Sequence, residues 1–244
     1  MAKVALITGA SGALGHAIAE RLAEDGFDLA LHYRSGKQDA ERLAASLRKA
    51  GIEARAYQAD ICKAHEVQRL VARVEEDLGP ICVVVNNAGL VRDKTLAKLT
   101  HEDWETVLDT NLPGAFHVCR SVVPSLVARK EGRIINISSI VGAMGNYGQA
   151  NYAASKAGLI GLTKSLAREL AKDQVTVNAI CPGFMDTPMV RKVPEPVQQK
   201  ILAQIPLGRF GEPRAVGEAV AYLAGAGGAW VTGQVLHVNG GMYM

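Results

Sequence analysis

Lys3-Val4-Ala5-Leu6-Ile7-Thr8-Gly9-Ala10-Ser11-Gly12-Ala13-Leu14-Gly15 carries an apolar run through a glycine-rich turn into a segment of helical periodicity. A strand that gives way at once to a helix allows the chain to double back over a sheet. Glycines at such a turn let the backbone approach a pyrophosphate, whose charge then sits at the positive end of the helix. The same turn also occurs in purely structural settings. Its place directly after the first apolar run is what gives it weight.

Working outward, short Val- and Ile-rich runs at 3–8, 27–33, 53–59, 81–85, 133–138, 175–180 and 235–238 read as strands. Segments of helical periodicity lie between them at 14–25, 38–50, 64–78, 101–127, 152–172 and 213–225. Strands apolar on both faces and alternating with helices predict a parallel sheet covered on both sides. The expected fold is therefore α/β, a doubly wound, Rossmann-like parallel sheet in three α/β/α layers, and 244 residues suit a single domain. Residues 184–212, punctuated by Pro188, Pro194, Pro196 and Pro206, are too long for an ordinary connection. This segment is the candidate substrate lid, with an irregular surface excursion as the alternative.

A formal charge of +3 with no run of Lys or Arg, and no aromatic platform, excludes a dedicated nucleic-acid surface. No stretch is apolar enough to cross a bilayer and no leader precedes the first strand, so a cytoplasmic protein is expected. Cys62, Cys82, Cys119 and Cys181 form no CxxC pair and have no His at metal-ligand spacing. They read as buried, reduced thiols, with no metal site and no disulfide framework.

The end of the second strand discriminates between dinucleotides. A carboxylate there would accept from a ribose 2′-hydroxyl, whereas a 2′-phosphate demands cationic donors. Tyr33-Arg34-Ser35-Gly36-Lys37 contains no carboxylate, and the planar fork of Arg34 with the Ser35 hydroxyl favours NADPH over NADH. Ala59-Asp60-Ile61 and Asn86-Asn87-Ala88-Gly89 end the third and fourth strands, at the carboxyl edge where such folds bind ligands. Asp60 can accept from an adenine amino group or cap the following helix.

Tyr-x-x-x-Lys occurs twice, at Tyr33–Lys37 and at Tyr152–Lys156. Gly36 interrupts the first, but the second opens a long helical segment in which a spacing of four puts both side chains on one face. A ketone accepting hydride becomes an alkoxide that must be protonated, and a phenol titrating near pH ~10 is too weak an acid unless a nearby ammonium favours its ionised form. Asn136-Ile137-Ser138-Ser139 ends the fifth strand, and either serine hydroxyl could donate to a carbonyl oxygen as it gains charge. Asn111, near the centre of the 101–127 segment, could hold a water on a path from Lys156 to solvent, or could bond its own helix backbone.

Together the turn at 8–15, Asn86-Asn87-Ala88-Gly89, Asn111, Ser139, Tyr152, Lys156 and Pro182-Gly183 with Thr187 resemble the short-chain dehydrogenase/reductase family in order and spacing over essentially the whole chain. The resemblance places the catalytic Ser thirteen residues before the Tyr, at Ser139. It implies Tyr152 as general acid, Ser139 as carbonyl donor, Lys156 as ribose clamp and pKa modulator, and Asn111 in a proton relay. It further implies NADPH/NADP+ contacts from Gly9, Ser11, Gly12, Leu14, Gly15, Arg34, Ser35, Asp60, Ile61, Asn86, Ala88, Gly89, Tyr152, Lys156, Pro182, Gly183, Met185 and Thr187.

Within the family, residues 142–152 and Val238-Asn239-Gly240-Gly241-Met242 look like bacterial reductases of the 3-oxo group of acyl thioesters on acyl carrier protein; acetoacetyl-CoA reductases are similar in the same stretches. Two departures stand out. The family has Gly where Ala13 stands and often a basic residue where Gly12 stands, leaving Arg34 to carry the phosphate preference. Its carrier-docking arginines are echoed at Arg129 and Lys130, but Asp173 follows Lys172 at the second site. The resemblance implies a homotetramer built partly on the apolar helix from 152 onward. A reductase of another ketone and a non-catalytic dinucleotide sensor are the competing readings, and the sensor would not need Ser139, Tyr152 and Lys156 together.

Overall fold

Seven apolar runs pair into one parallel sheet in the computed structural model, which describes residues 3–244. They are β1 (Lys3–Ile7), β2 (Phe27–Tyr33), β3 (Ala54–Gln58), β4 (Ile81–Asn86), β5 (Gly132–Ile137), β6 (Val175–Pro182) and β7 (Val235–Val238). The order is β3-β2-β1-β4-β5-β6-β7, and every neighbouring pair is parallel. The chain winds outward in one direction from β1 and in the other from β4. A crevice therefore opens between their carboxyl ends, where the crossovers diverge.

Among the described residues ten α-helices connect and cover the strands: α1 (Ala13–Glu24), α2 (Lys37–Lys49), α3 (Ala64–Leu78), α4 (His101–Asn111), α5 (Pro113–Arg129), α6 (Ile140–Met144), α7 (Ala150–Leu170), α8 (Pro188–Arg191), α9 (Glu195–Leu202) and α10 (Pro213–Ala224). Ile18, Leu22, Leu43 and Val220 from α1, α2 and α10 pack on Ile7, Leu29 and Val85 on one face of the sheet. Val67, Val74, Val118, Leu126 and Leu170 from α3, α5 and α7 pack on Leu6, Val84 and Ile134 on the other. Each fully buried Leu, Ile or Val adds roughly 1.5–3 kcal/mol, so both faces anchor the sheet to its helices.

Three helical features differ from the sequence reading. The segment expected as one helix over 101–127 breaks at Leu112, because Pro113 has no N–H to donate to the preceding turn. Pro113 instead opens α5 at a position where no donor is needed. Within the candidate lid, α8 and α9 form where only loop was expected. The five-residue α6 is too short to show periodicity.

The four cysteines are free, but only Cys119 and Cys181 are buried; Cys62 and Cys82 are half-exposed, contrary to the expectation for all four. Cys82 lies at the start of β4 with its thiol on the Val4 carbonyl, and Cys62 lies in the loop after β3.

A buried polar chain joins the sheet to α7. Asn86 Nδ2 donates to Asn136 Oδ1 at 2.9 Å, Asn136 Nδ2 to Thr163 Oγ1 at 2.9 Å, and Thr163 Oγ1 to the Leu159 carbonyl at 2.7 Å. Such bonds are strong in a low dielectric and costly to leave unmade, so they set how far α7 slides along β4 and β5. Above them α6 lies against α7 with no room for a side chain at Gly142. A Cβ there would stand 2.7 Å from the Lys156 carbonyl carbon and 2.8 Å from the Ala157 nitrogen. Gly142→Ala is therefore expected to lower the unfolding free energy by about 1–3 kcal/mol in urea titration, and an unchanged midpoint would contradict this close approach.

Candidate active site

The glycine-rich turn crosses the crevice between β1 and β4. Gly9 adopts φ +65°, and a Cβ there would stand 2.8 Å from the Ala88 Cα, so two backbone segments touch across the gap. Asn87 Nδ2 donates to the Thr8 and Gly9 carbonyls at 2.9 and 3.1 Å and binds the two segments together. Gly12, the residue before α1, has extended backbone with φ −88°, open to any residue. Ala13 begins the helix with an exposed side chain, so its replacement of glycine leaves the turn intact. No side chain caps α1 and its first turn carries no acid, which leaves the positive helix end suited to a pyrophosphate. Leu14 is half-buried and Gly15 packs on the Gly9 carbonyl behind the turn.

His32, on β2, was missed by the motif reading although it interrupts an apolar run. Its buried ring accepts from the Gly9 N–H at Nδ1 (3.2 Å), which leaves Nε2–H to donate to the Ala59 carbonyl (3.0 Å). One neutral imidazole thus spans from the turn to the end of β3. Gly36 was also missed: a Cβ there would stand 2.6 Å from Ser11 Oγ, so the loop bearing Arg34 and Ser35 rests on the turn. Arg34 and Ser35 are exposed at the rim.

Several residues expected at the cofactor have their side chains engaged within the protein. Asn86 is committed to the buried chain to Asn136, and Ile61 packs beneath Gly114 while its carbonyl meets His117 Nδ1 at 2.8 Å. Met185 is buried against Gly211. Asp60 does not cap α3: the helix begins four residues later, after Lys63, and Asp60 Oδ1 accepts from the Cys62 N–H at 3.1 Å. Pro182 ends β6 in the core, Gly183 lies against Asn239, and Thr187 Oγ1 meets the Val190 N–H at 3.4 Å.

Tyr152 and Lys156 occupy one face of α7, with Lys156 Nζ 5.6 Å from the centre of the Tyr152 ring. Tyr33 and Lys37 do not meet in this way, since Tyr33 is buried at the end of β2 and Lys37 pairs with Glu41. Lys156 is 3% exposed and donates to the Ile137 carbonyl at 2.8 Å. Burial pulls its ammonium down to about 8, which keeps it charged at neutral pH. The Tyr152 phenol is pushed up, not lowered as the neighbouring ammonium alone would do: burial is the main cause, hydrogen bonding with Ser139 opposes it, and the Asp93 carboxylate adds to the rise. Asp93 is held in place by Gln149 Nε2 at 3.0 Å.

The two adjacent serines face opposite ways. Ser138 Oγ donates to the Lys156 carbonyl at 2.7 Å inside the packing of α7. Ser139 Oγ accepts from the Val141 N–H at 3.1 Å, which leaves its own O–H to donate toward the phenol side. Asn111 lies at the end of α4, not near the centre of a helix, and does not bond its own helix. Its Oδ1 accepts from the Leu90 N–H at 2.9 Å, and its Nδ2 donates to the Leu90 carbonyl at 3.0 Å and to Ser155 Oγ at 3.1 Å. Ser155 in turn donates to the Tyr152 carbonyl at 2.8 Å, a link that its place one turn after Tyr152 could have signalled. Gly89 brings the strand end against both groups: a Cβ there would be 3.2 Å from Asn111 Oδ1 and 3.4 Å from Lys156 Nζ.

Arg129 points away from this centre. Its guanidinium donates to Ser125 Oγ and to the Ile81 carbonyl at the opening of β4. That is the opposite edge of the sheet from Tyr152, a strand's length or about 20 Å away.

Residues 9–243 match a family model described as enoyl-(acyl carrier protein) reductase, and the chain belongs to the short-chain dehydrogenase/reductase family. It is 46% identical to the 3-oxoacyl-[acyl-carrier-protein] reductase FabG of Staphylococcus epidermidis over 244 residues, all of both chains. The proteins of the same name from Pseudomonas aeruginosa and Vibrio cholerae are 43% and 42% identical over 242 residues, 99% of this chain and 98% of theirs. Family and fold together make it an oxidoreductase that uses a nicotinamide dinucleotide.

Burial disfavours the His32 imidazolium, with Asp60 opposing, so the folded chain takes up this proton less readily than an unfolded one titrating near 6.5. The stability that the neutral ring contributes is present above pH about 6.5 and is lost as the pH falls below it. His32→Asn is expected to be less stable at pH 7.5 yet to lose less stability between pH 7 and 5 in chemical denaturation. Parallel pH slopes for the two proteins would show that His32 is not the responsive group.

Proposed function

We propose that this chain is an NADPH-dependent 3-oxoacyl-[acyl-carrier-protein] reductase that works in fatty acid synthesis, with Tyr152, Ser139, Lys156 and Asn111 as its catalytic residues. The observation that carries the reading is the convergence of a phenol, a serine hydroxyl with a free proton and a charged buried lysine at the carboxyl edge of the sheet. Relatives bearing that activity in their names match the chain from end to end.

A bound reduced nicotinamide would supply the hydride to the 3-oxo carbon. Tyr152 gives its proton to the carbonyl oxygen as that oxygen gains charge. Ser139 donates a second hydrogen bond to the same oxygen, with the Val141 N–H fixing the orientation of its Oγ; removing one such donor costs about 10²–10³ in turnover. The ammonium of Lys156 stabilises the phenolate left behind, each unit of pKa being worth about 1.4 kcal/mol. Asn111 Oδ1 keeps one lone pair beside Gly89 for a water that returns a proton from solvent. This pair of hydroxyl donors suits a reaction that ends in an alcohol, which favours the 3-oxo reading over the enoyl description of the family model.

The preference for NADPH rests on Arg34 and Ser35 at a rim that lacks a carboxylate between Tyr33 and Lys37. We further propose a homotetramer, since α7 exposes Ala154, Ala157 and Gly161. Residues 184–212 serve as the substrate lid: the Met185–Gly211 bridge pins the segment's ends, and α9 buries none of its residues. A cytoplasmic location is consistent with the absence, among the described residues, of a helix able to cross a membrane. The inward engagement of Arg129 favours a second reading, in which the acyl group arrives on coenzyme A.

Steady-state rates with 3-oxoacyl chains on carrier protein and on coenzyme A decide between the two carriers, and the carrier-bound substrate is expected to have the higher kcat/KM. A chain inactive on both but active on an unrelated ketone would refute the thioester assignment. Tyr152→Phe is expected to abolish turnover while NADPH still binds, as followed by its fluorescence. Turnover near the parent rate in that variant would remove Tyr152 as the acid.

A further inference from the structure

We propose that Arg69, on the second turn of α3, acts with Arg34 as a two-guanidinium clamp for the phosphate on the adenosine ribose of the dinucleotide. This makes Arg69 a specificity-determining residue that the motif pattern does not include, and it rests on the reading of the crevice as a dinucleotide site.

The two arginines come from different crossovers, one after β2 and one after β3, and line the same cavity of about 450 Å³ with Gln58, Asp60, Lys63 and Glu66. Lys63 and Glu66 in this cavity are already paired, and Asp60 has one oxygen engaged. Glu66 accepts from Lys63 Nζ at 3.0 Å through one oxygen and from the Asp60 N–H at 2.8 Å through the other. Asp60 Oδ1 accepts from the Cys62 N–H. Gln58 donates to the Arg34 carbonyl at 3.2 Å, which holds the Arg34 backbone at the cavity wall and leaves its guanidinium unused.

Among the described residues neither guanidinium makes a hydrogen bond or an ion pair. The next arginine of α3 behaves differently: Arg73 lies over the Tyr57 ring at 5.9 Å and within 3.8 Å of Asp77. Two planar forks with ten N–H donors, facing one polar cavity beside the β2 rim, match a dianionic phosphate monoester. With Gly12 lacking any cationic side chain at the turn, Arg69 supplies the second positive group that a single exposed arginine would otherwise have to replace.

The test is calorimetric binding of adenosine 2′,5′-bisphosphate and of adenosine 5′-diphosphate to the full chain, to Arg69→Met and to Arg34→Met, with thermal unfolding confirming that each variant folds. Arg69→Met is expected to weaken the 2′,5′-bisphosphate by roughly five- to thirtyfold and to leave the 5′-diphosphate within about twofold, as should Arg34→Met. An unchanged 2′,5′-bisphosphate affinity, or equal losses for both ligands, would overturn the role of Arg69. A parent chain that binds the two ligands equally well would overturn the NADPH preference itself, and this inference with it. Discrimination by the parent that survives in Arg69→Met would overturn the clamp alone.

Discussion

An ammonium buried without a carboxylate partner is the constraint on which the site depends. Lys156 is almost completely enclosed, and the Ile137 carbonyl is the acceptor its charge has among the described residues. Removing a charge from water costs several kcal/mol unless it is well bonded, so the end of β5 and the face of α7 must keep a fixed separation. Parallel sheets leave the last carbonyls of a strand free at their carboxyl edge, and one of these holds the lysine. The same cost draws the ammonium down to about 8, which still leaves it charged at neutral pH.

Everything that fixes α7 then acts on the chemistry indirectly. The chain from Asn86 through Asn136 to Thr163 sets its position along the sheet, and Gly142 sets its distance from α6. Ser138 and Ser155 secure the helix backbone at Lys156 and Tyr152. Ser139 alone among these hydroxyls turns its proton toward the phenol and not to a backbone carbonyl. The division is physical: hydroxyls that orient the helix are spent on carbonyls, and the one left over faces the phenol.

The crevice for the dinucleotide is built on different principles, with backbone amides, a helix terminus and exposed cations rather than a dry packed interior. His32 ties the turn to the end of β3, and the rim carries the exposed Arg34 and Ser35. Its lining comes from several crossovers, which lie far apart in sequence and meet at one sheet edge.

Much of this was legible before any coordinates. Alternating apolar runs and helical segments foretold the parallel sheet, and a spacing of four on a helix brought Tyr152 to Lys156, because local periodicity dictates which side chains share a face. Residue type and order likewise pointed to the nicotinamide chemistry. The helix break at Pro113, and with it the place of Asn111 at a helix end, needed only closer attention to one proline. Other features had no local signature. The opposite orientations of Ser138 and Ser139, the inward turn of Asn86, Ile61, Met185 and Arg129, the fit of Gly36 to Ser11 and the sharing of one cavity by Arg34 and Arg69 arise from contacts between distant segments. Short-range patterns set the elements and the kinds of groups they carry. Packing, through the cost of leaving buried polar groups unpaired and the lack of room for one more carbon, chose which of those groups face the cleft.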